Sequence, residues 1–553
     1  MGSAKRKVEG DGPSGQDGPP RGECGGSLGD EIGIIVGETS ALEFKFLMAG
    51  EASRGSYVKV RDGPRDWVFA QVLEVTRSNV AYGLNSIDHD NPVGSERVLG
   101  SARVIGVSSG GRLEMPTNPP RPGDPVLKAD AHLIEMGLGL SRGNLYIGLL
   151  EGHDLKVKLE ADTFVQKHCS ILAKTGSGKS YTAAVVLEEL LEKDVALLII
   201  DPHGEYASMK QKNTKGEFAR FEVKPRGYDV TVYSPASQSV APGADRRFRF
   251  NGKNMTAREL SAMLPEDVNN SQRGVLYEAI KILSSDGGDY ELEDVIAQAE
   301  KDTSKAKWGL IGHLEALEDL GIFSGKGTDL GDLLQRGKAS VIEMTGVPPD
   351  LQGMIVAKLL SDLFEARKRG KVNPGMVVVE EAHNYIPERG SGKAASTAVI
   401  RTIAAEGRKF GLGLLVISQR PARVDKNVIS QCNTQIILRV TNPNDLRALS
   451  KGIEGMSSEL EEEIKRLPPG TAMVVSSEIE HPVTVKIRPR KSRHGGVSTP
   501  IVGGERSRVP AGTGGGAKAA GSQPQEPGKR GGPETKADKK DGGGSFLRKI
   551  LGK

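Results

Sequence analysis

Hydrophobic and polar positions alternate over short distances in the N-terminal part of the chain. Between Glu31 and Asp130 the runs EIGIIVGE, SALEFKFLMA, SYVKVRDG and WVFAQVLEV are separated by Gly, Pro and Asp, and no helical period persists. Alternation with a period of two is typical of half-buried strands, and several short strands at this spacing indicate a small sandwich or barrel. A barrel is the favoured interpretation, because a sheet of this size can close on itself.

From Lys167 onwards the pattern changes to uninterrupted apolar runs. The runs HCSILA, VALLIID, ASVIEMT, GMVVVEE, GLLVISQ and TQIILRV alternate with helical stretches such as YTAAVVLEELLEK. Strands that are apolar throughout and alternate with helices predict a parallel sheet covered on both faces, so the expected fold class is α/β. Residues 255–334 have a helical pattern without an obvious strand and predict an insertion, whereas TAMVVSSEIEHPVTVKI predicts a hairpin.

Both ends of the chain have a composition that predicts disorder. Residues 1–30 and 488–553 are rich in Gly and poor in large apolar side chains. The formal net charge is +4, but residues 488–553 contain 15 basic and 5 acidic side chains, so the rest of the chain is mildly acidic. The pI of about 8.7 therefore does not by itself indicate a protein that coats nucleic acid. The last stretch, SFLRKILGK, has amphipathic helical spacing and predicts a docking peptide.

Cysteine usage and hydropathy predict a cytoplasmic protein. Cys24, Cys169 and Cys432 are far apart and odd in number, which disfavours a disulfide framework or a thiolate zinc site. The longest apolar runs are far shorter than the roughly 20 residues that a membrane span needs, and the N-terminal stretch has no apolar signal segment. We therefore expect no association with a membrane.

The strongest chemical signal is a glycine-rich loop between a strand and a helix. It is Ala173-Lys-Thr-Gly-Ser-Gly-Lys179-Ser180, with alanine where glycine is usual. Glycines let the backbone wrap so that its N–H groups point at a phosphate chain, and the following helix N-terminus favours anions. In this pattern the lysine reaches the β- and γ-phosphates and the serine hydroxyl ligates Mg²⁺. ATP and Mg²⁺ are therefore expected, and the nucleotide-binding candidates are Thr175, Gly176, Ser177, Gly178, Lys179, Ser180, Tyr181 and Asp201.

Two acids at the end of an apolar strand supply the second half of such a site. Glu380 and Glu381 follow the run GMVVV, and ligands of parallel sheets bind where the strands end. Glu380 is expected to hold the hydrated Mg²⁺ together with Ser180, and Glu381 to orient and deprotonate the attacking water. Gln419 follows GLLVIS, where a polar side chain can sense the γ-phosphate. His203 has no second His or Cys at ligand spacing and is expected to be structural or signalling.

These motifs occur together in one family. The segments HCSILAKTGSGKS, LLIIDPHGEY, VVVEEAHNYIP, AEGRKFGLGLLVISQRP and PPGTAMV resemble, in order and spacing, the HerA family of hexameric DNA-translocating ATPases over residues 31–487. The resemblance implies a RecA-like P-loop core with a central parallel sheet, preceded by a small β-barrel of the type called HAS. It also implies a helical insertion, a C-terminal brace over the neighbouring subunit and assembly as a ring. The resemblance further implies a partnership with a nuclease, because archaeal proteins of this family act with the NurA nuclease in resecting DNA ends.

The predicted organisation has eight segments. In chain order they are a disordered N-terminal segment, a HAS-like barrel, a connector, the first part of the ATPase core, the helical insertion, the second part of the core, a C-terminal hairpin or brace, and a disordered basic tail that the family pattern does not explain. Their predicted limits are 1–30, 31–130, 131–166, 167–254, 255–334, 335–467, 468–487 and 488–553.

The resemblance also implies that an arginine of the neighbouring subunit completes each ATP site. Arg408, in EGRKFG, is the first candidate and Arg401 the alternative, because arginine stays charged and can meet phosphate bidentately. Lys167 matches a basic position of the family pattern and ranks lower. No motif marks the DNA contacts; the basic cluster at 367–371 and the Gly/Ser-rich loop around Lys393 are the candidates.

Three hypotheses of function follow. The favoured one is an ATP hydrolase that acts as a homohexameric translocase or helicase on duplex DNA, in end resection with a NurA-like nuclease. The alternative is an ATP-driven protein-translocation or assembly ATPase of the conjugative-secretion type. A third is a nucleotide-gated scaffold that regulates a nuclease. Stimulation of hydrolysis by DNA would favour the first, stimulation by a protein the second, and full nuclease activity with slowly hydrolysed ATP analogues the third.

Overall fold

The computed structural model describes residues 30–495 with short gaps. The gaps are residues 64–65, 80–81, 84–85, 88–95, 110–111, 141, 238, 265–267 and 453–457. Almost all of the predicted N-terminal segment, most of the predicted basic tail and the peptide SFLRKILGK lie outside the described residues.

Antiparallel strands form the N-terminal part of the described chain. They are β1 (Glu31–Val36), β2 (Glu43–Met48), β3 (Tyr57–Asp62), β4 (Asp66–Asn79), β5 (Tyr82–Gly83), β6 (Ser86–Ile87), β7 (Glu96–Ser109), β8 (Arg112–Glu114) and β9 (Pro125–Lys128). Six of them follow the order β2-β1-β9-β3-β4-β7, and β7 pairs back with β2, so the ring is closed. β8 continues the sheet beyond β7, and β5 pairs with β6 separately.

The alternation of the sequence corresponds to the two faces of this barrel. Phe44 and Phe46 of β2 are buried inside it, whereas Glu43, Lys45 and Leu47 between and beside them are exposed. The interior is tightly packed, because a Cβ atom at Gly100 would lie 2.4 Å from the ring of Phe46. The predicted N-terminal barrel is confirmed.

The rest of the described chain is a sheet with helices on both faces. Its strands are β10 (Leu145–Leu150), β11 (Lys156–Leu159), β12 (Cys169–Leu172), β13 (Ala196–Asp201), β14 (Val230–Ser234), β15 (Arg246–Arg247), β16 (Phe250–Asn251), β17 (Phe323–Ser324), β18 (Ala339–Glu343), β19 (Gly375–Val379), β20 (Leu412–Ser418), β21 (Thr434–Ile437), β22 (Thr471–Val475) and β23 (Val483–Ile487). Its helices are α1 (Ala131–Leu138), α2 (Ala161–Gln166), α3 (Lys179–Glu192), α4 (Ala257–Met263), α5 (Asn270–Ser285), α6 (Leu292–Ala299), α7 (Lys307–Asp319), α8 (Leu330–Leu333), α9 (Pro349–Lys368), α10 (Thr397–Glu406), α11 (Lys426–Ile429), α12 (Pro443–Gly452) and α13 (Ser458–Arg466).

Twelve of these fourteen strands form the central sheet, in the order β11-β10-β23-β22-β21-β12-β20-β19-β13-β18-β14-β15, and β16 pairs separately with β17. The strands from β21 to β14 in this order run parallel, and β22, β23, β10 and β11 add an antiparallel edge. All residues of β12, β13, β19 and β20 are buried, which explains their uninterrupted apolar runs. The α/β class with a central parallel sheet is confirmed.

Helices cover both faces of this sheet and build two hydrophobic cores. One core contains α3 and α2; the other contains α9, α10 and the helices α4 to α7 of the insertion. Thr256 and Asn269 form capping boxes that begin α4 and α5. In the part of the chain that the structure describes, no helix has both the length and the hydropathy required to cross a membrane.

Two predicted segments differ from the structure. The range 131–166, expected to be a connector, contains β10 and β11, which extend the central sheet by pairing with β23. The range expected to be a disordered tail begins too early, because residues 488–495 are folded and the side chains of Arg488 and Arg490 are buried. Composition misled here, since tertiary ion pairs compensate the charges that argued against burial. The predicted hairpin is present as β22 and β23.

Candidate active site

Most of the predicted site residues converge at one edge of the central sheet. The glycine-rich loop follows β12, Asp201 ends β13, Glu380 and Glu381 follow β19, and Gln419 follows β20. These four strands are neighbours and run parallel, so their carboxyl ends meet at the same edge. This is the edge at which open α/β sheets bind ligands.

The glycine-rich loop has the geometry of a phosphate cradle. Gly176 and Gly178 have φ values of 79° and 100°, which favour glycine, and no heavy atom lies within 4 Å of a Cβ built at Gly176. The Ser177 hydroxyl donates to the carbonyl of Lys174, which closes the turn. α3 begins at Lys179 without a side-chain cap, so the N–H groups of its first turn are available to an anion.

Lys179 lies between the two acids. Its Nζ donates to Oε1 of Glu380 and, at 2.7 Å, to Oε1 of Glu381. Burial disfavours the charged ammonium, but both carboxylates oppose this effect and raise the pKa of Lys179. Burial raises the pKa of Glu380, against the opposing effect of Lys179. The lysine and the two acids are therefore close enough to contact the same bound phosphate and its metal ion.

Tyr206 contacts Glu380 directly, and Asp201 holds the backbone of the loop that carries Tyr206. The hydroxyl of Tyr206 donates to Oε2 of Glu380, so both oxygens of this buried carboxylate have partners. Asp201 accepts from the backbone N–H groups of His203, Gly204 and Tyr206 at 2.9 to 3.1 Å. Burial, aided by the charge of Glu380, raises the pKa of Asp201 to about 7. Asp201 thus shapes the loop that carries Tyr206.

Glu381 has a strained backbone and one incompletely bonded oxygen. Its φ is 48°, an unusual value for a residue other than glycine. Its Oε2 is buried without a hydrogen bond of good geometry among the described residues, and Nδ1 of His383 lies 3.3 Å from it. The same Nδ1 lies 3.2 Å from the hydroxyl of Ser418, the last residue of β20. The next residue, Gln419, accepts a hydrogen bond from the Thr175 hydroxyl of the glycine-rich loop.

The donor set of this edge fits a magnesium triphosphate. Lys179 and the uncapped first turn of α3 offer positive groups to phosphate, and Ser180 and Glu380 offer oxygens to a hard cation. No group of three or more His, Cys, Asp or Glu side chains suited to a metal ion occurs within the described ranges. Ser180 and Glu380 would therefore need phosphate oxygens to complete a Mg²⁺ site.

The side chain of Tyr181 faces away from the predicted phosphate position. Its hydroxyl accepts from the backbone N–H of Arg490 at 2.9 Å, and its ring contacts that of His494 edge-on. The segment 488–495, whose composition predicts disorder, is thus anchored to the helix that follows the glycine-rich loop.

The two candidate arginines have different surroundings. Arg401 donates through Nε and Nη2 to Asp425 of its own chain, whose side chain is 2% exposed. Arg408 is exposed and makes no side-chain hydrogen bond or ion pair with a described residue. It precedes β20, and Lys167 precedes the adjacent β12, so both lie at the amino edge of the sheet, opposite the glycine-rich loop.

The basic cluster at 367–371 is partly structural. Arg367 donates to the carbonyls of Phe410 and Val372, and Lys368 pairs with Glu365. These contacts end α9 and hold the turn that carries Arg408. Lys393, in contrast, is exposed in its loop and makes no side-chain bond with the residues that are described.

Comparisons with known proteins identify one family. A family model described as "Helicase HerA, central domain" matches residues 145–363. The chain is 28% identical over 533 residues to the DNA double-strand break repair helicase HerA of Pyrococcus furiosus, which covers 86% of this chain and 95% of that protein. It is 28% identical over 481 residues to the protein of the same name from Saccharolobus solfataricus, with 82% and 92% covered.

The chain is thus similar to HerA helicases over most of its length and to the central-domain model of that family over residues 145–363. The family match begins at the first residue of β10, which agrees with the observation that β10 and β11 belong to the central sheet. Among solved structures, VirB4 of Thermoanaerobacter pseudethanolicus is 14% identical with a TM-score of 0.47, covering 63% of this chain and 97% of that one.

Sequence reasoning assigned no role to Tyr206 or His383. Both stand in the motifs DPHGEY and EEAHNYIP that carried the resemblance. Their contacts with Glu380 and Glu381 depend on strand neighbours that are distant in the sequence, so the motifs alone could not show them.

Proposed function

We propose that this HerA-like protein is an ATP hydrolase that moves along duplex DNA as a ring of subunits. The single observation that carries the proposal is the contact of Lys179 with both Glu380 and Glu381 beside a glycine-rich loop. The relatives from Pyrococcus and Saccharolobus are named as DNA double-strand break repair helicases, which supports DNA as the substrate.

Within this proposal each residue of the site has one task. Residues 175–180 cradle the phosphates, with Lys179 at the β- and γ-phosphates and Ser180 with Glu380 at Mg²⁺. The metal would neutralise charge that develops on the phosphates. Glu381 orients the attacking water and accepts its proton. Gln419, which accepts a hydrogen bond from Thr175 of the glycine-rich loop, is assigned to sense the γ-phosphate. Lys179 must leave the acids to reach phosphate.

The position of Arg408 supports hydrolysis between subunits. β20 separates it from the carboxyl edge by seven residues, about 20 Å at the usual rise of about 3.3 Å per residue. Arg408 is therefore too far away to reach ATP on its own glycine-rich loop. It is free to serve a neighbour, whereas Arg401 is occupied by Asp425. Arginines that act in this way accelerate related phosphoryl transfers by about 10³- to 10⁵-fold.

We further propose a hexamer that works with a nuclease of the NurA type in the resection of DNA ends. The supporting arguments are the match to the family model and the names of the relatives. Lys393 is the candidate that we favour for a phosphate contact in the channel, because it is exposed and unpaired among the described residues.

The test is the rate of ATP hydrolysis with and without duplex DNA, together with the native mass. We expect stimulation by DNA and a mass of about six chains. Lys179→Ala should abolish turnover without changing the mass, and Glu381→Gln should bind ATP but not hydrolyse it. Normal hydrolysis by either variant would refute the site. Stimulation by a protein with indifference to DNA would instead support a protein-translocation ATPase.

A further inference from the structure

We propose that His383 is a positioning residue that holds the Glu381 carboxylate in its catalytic orientation. The inference rests on the proposed hydrolysis of ATP and adds a residue that neither the sequence motifs nor the family match assigns. His383 lies two residues beyond the strained Glu381, in the single helical turn Ala382–Asn384.

The imidazole lies between two groups that compete for it. Its Nδ1 is 3.3 Å from Oε2 of Glu381 and 3.2 Å from Oγ of Ser418. Only 13% of the side chain is exposed. Burial lowers the pKa of His383, and the positive charges of Arg420, Lys179 and Arg423 act in the same direction, against Glu381. A neutral imidazole carries one proton, so Nδ1 can donate or accept, but not both.

The two possible positions of that proton give different environments for Glu381. If the Ser418 hydroxyl donates to a bare Nδ1, then Oε2 of Glu381 faces a lone pair and has no donor. If Nδ1 carries the proton, it can donate to Oε2, and Ser418 keeps the backbone N–H of Arg420, 3.0 Å away, as its donor. The incomplete bonding of Oε2 corresponds to the first arrangement.

Departure of Lys179 toward phosphate favours the second arrangement. While Lys179 donates to Oε1, the charge of the Glu381 carboxylate is compensated, and Oε2 can remain without a hydrogen-bond donor. Once the lysine leaves, a buried carboxylate without any donor would be strongly disfavoured. Nδ1–H of His383, 3.3 Å from Oε2, is a neutral donor that would then bind Oε2 and leave Oε1 to receive the proton of water. This contact would then hold the carboxylate in one orientation.

Three substitutions at one position separate positioning from packing. An asparagine amide can place its N–H₂ group near Nδ1, whereas a glutamine amide reaches toward Nε2. We therefore expect His383→Ala and His383→Gln to lower kcat by about 10- to 100-fold, and His383→Asn to retain most of it. Affinity for a slowly hydrolysed ATP analogue should change by less than about threefold in all three, since the contact serves hydrolysis. A role in packing alone predicts the reverse order, because glutamine is closer to histidine in size.

Ser418→Ala supplies the matched control. It removes the competing hydroxyl and should leave kcat within about threefold of wild type, and it should add nothing to His383→Ala. Full kcat in His383→Ala, or equal kcat in the Asn and Gln variants, would overturn the inference. Glu381→Gln distinguishes a failure of the His383 proposal from a failure of the proposed catalytic base. If Glu381→Gln is inactive while His383→Ala is fully active, only the role of His383 fails. If it hydrolyses ATP normally, the proposed catalytic base fails and the role of His383 fails with it.

Discussion

Arg488 allows a quantitative test of the way the C-terminal segment is held. Its guanidinium is fully buried and donates to the carbonyl of Tyr146 on β10 at 3.0 Å. It also donates to Glu188 at 3.0 Å and to Glu189 at 2.9 Å, two acids that belong to α3. One side chain thus joins the segment to the edge of the sheet and to the helix that carries the glycine-rich loop.

Replacing Arg488 by alanine should be strongly destabilising. Removal of one partner from a buried ion pair costs about 3–5 kcal/mol, because the remaining charge is uncompensated. Lys491 still pairs with Glu189, and the backbone N–H and hydroxyl of Ser492 still donate to Glu188, so we expect the lower end of this range. Arg488→Lys should lose less, since it keeps the charge but cannot form the fork of hydrogen bonds.

The assay is urea unfolding followed by circular dichroism, with the shift in midpoint compared between variants at equal chain concentration. Arg493→Ala is the matched control, because this nearby arginine is exposed and its side chain donates to Gln211 at 2.7 Å. We expect the control to lose no more than about 0.5 kcal/mol. A loss below about 1 kcal/mol for Arg488→Ala would mean that the buried cluster does not hold the segment, and the reasoning would be wrong.

Two further predictions concern the site itself. Mixtures of Arg408→Ala and Lys179→Ala subunits should recover part of the hydrolysis rate, because each variant supplies the group that the other lacks. Mixtures of Arg401→Ala and Lys179→Ala subunits should show no such recovery. Absence of recovery with Arg408→Ala at any ratio would exclude the action of Arg408 across subunits. Removal of Mg²⁺ should weaken ATP binding at least about tenfold in a fluorescence titration, because Lys179 would leave Glu380 and its neighbouring acid uncompensated. Glu380→Gln should remove most of this dependence, and an unchanged dependence would contradict its assignment to the metal.

The arrangement at the carboxyl edge could be predicted from the sequence because each motif is attached to a strand. Apolar strands that alternate with helices run parallel, so their carboxyl ends meet at one edge of the sheet. The acids after β19 and the loop after β12 are therefore expected at the same edge. At this edge Nζ of Lys179 lies 2.7 Å from Oε1 of Glu381. Hydrophobic periodicity likewise predicted the barrel, since Phe44 and Phe46 alternate with polar neighbours.

The C-terminal segment could not be predicted in this way. Arg488, Arg490 and Lys491 resemble the basic residues that follow them in composition, and nothing in their local pattern indicates burial. What distinguishes them is a set of acids on α3, about 300 positions earlier, that compensates their charge. Composition averages over a segment, whereas burial of a charge depends on a particular partner.

The resting site explains why binding of nucleotide and activation of water would be coupled. Glu380 and Glu381 are adjacent and buried, and two carboxylates so placed repel each other unless a cation lies between them. Lys179 supplies that cation, and its bond to Glu381 also occupies an oxygen that would have to accept a proton. In the proposed reaction, phosphate would draw Lys179 away, Glu380 would hold a metal ion whose charge replaces that of the lysine, and Glu381 would become available as the base. A site built in this way has little capacity to activate water before ATP is in place.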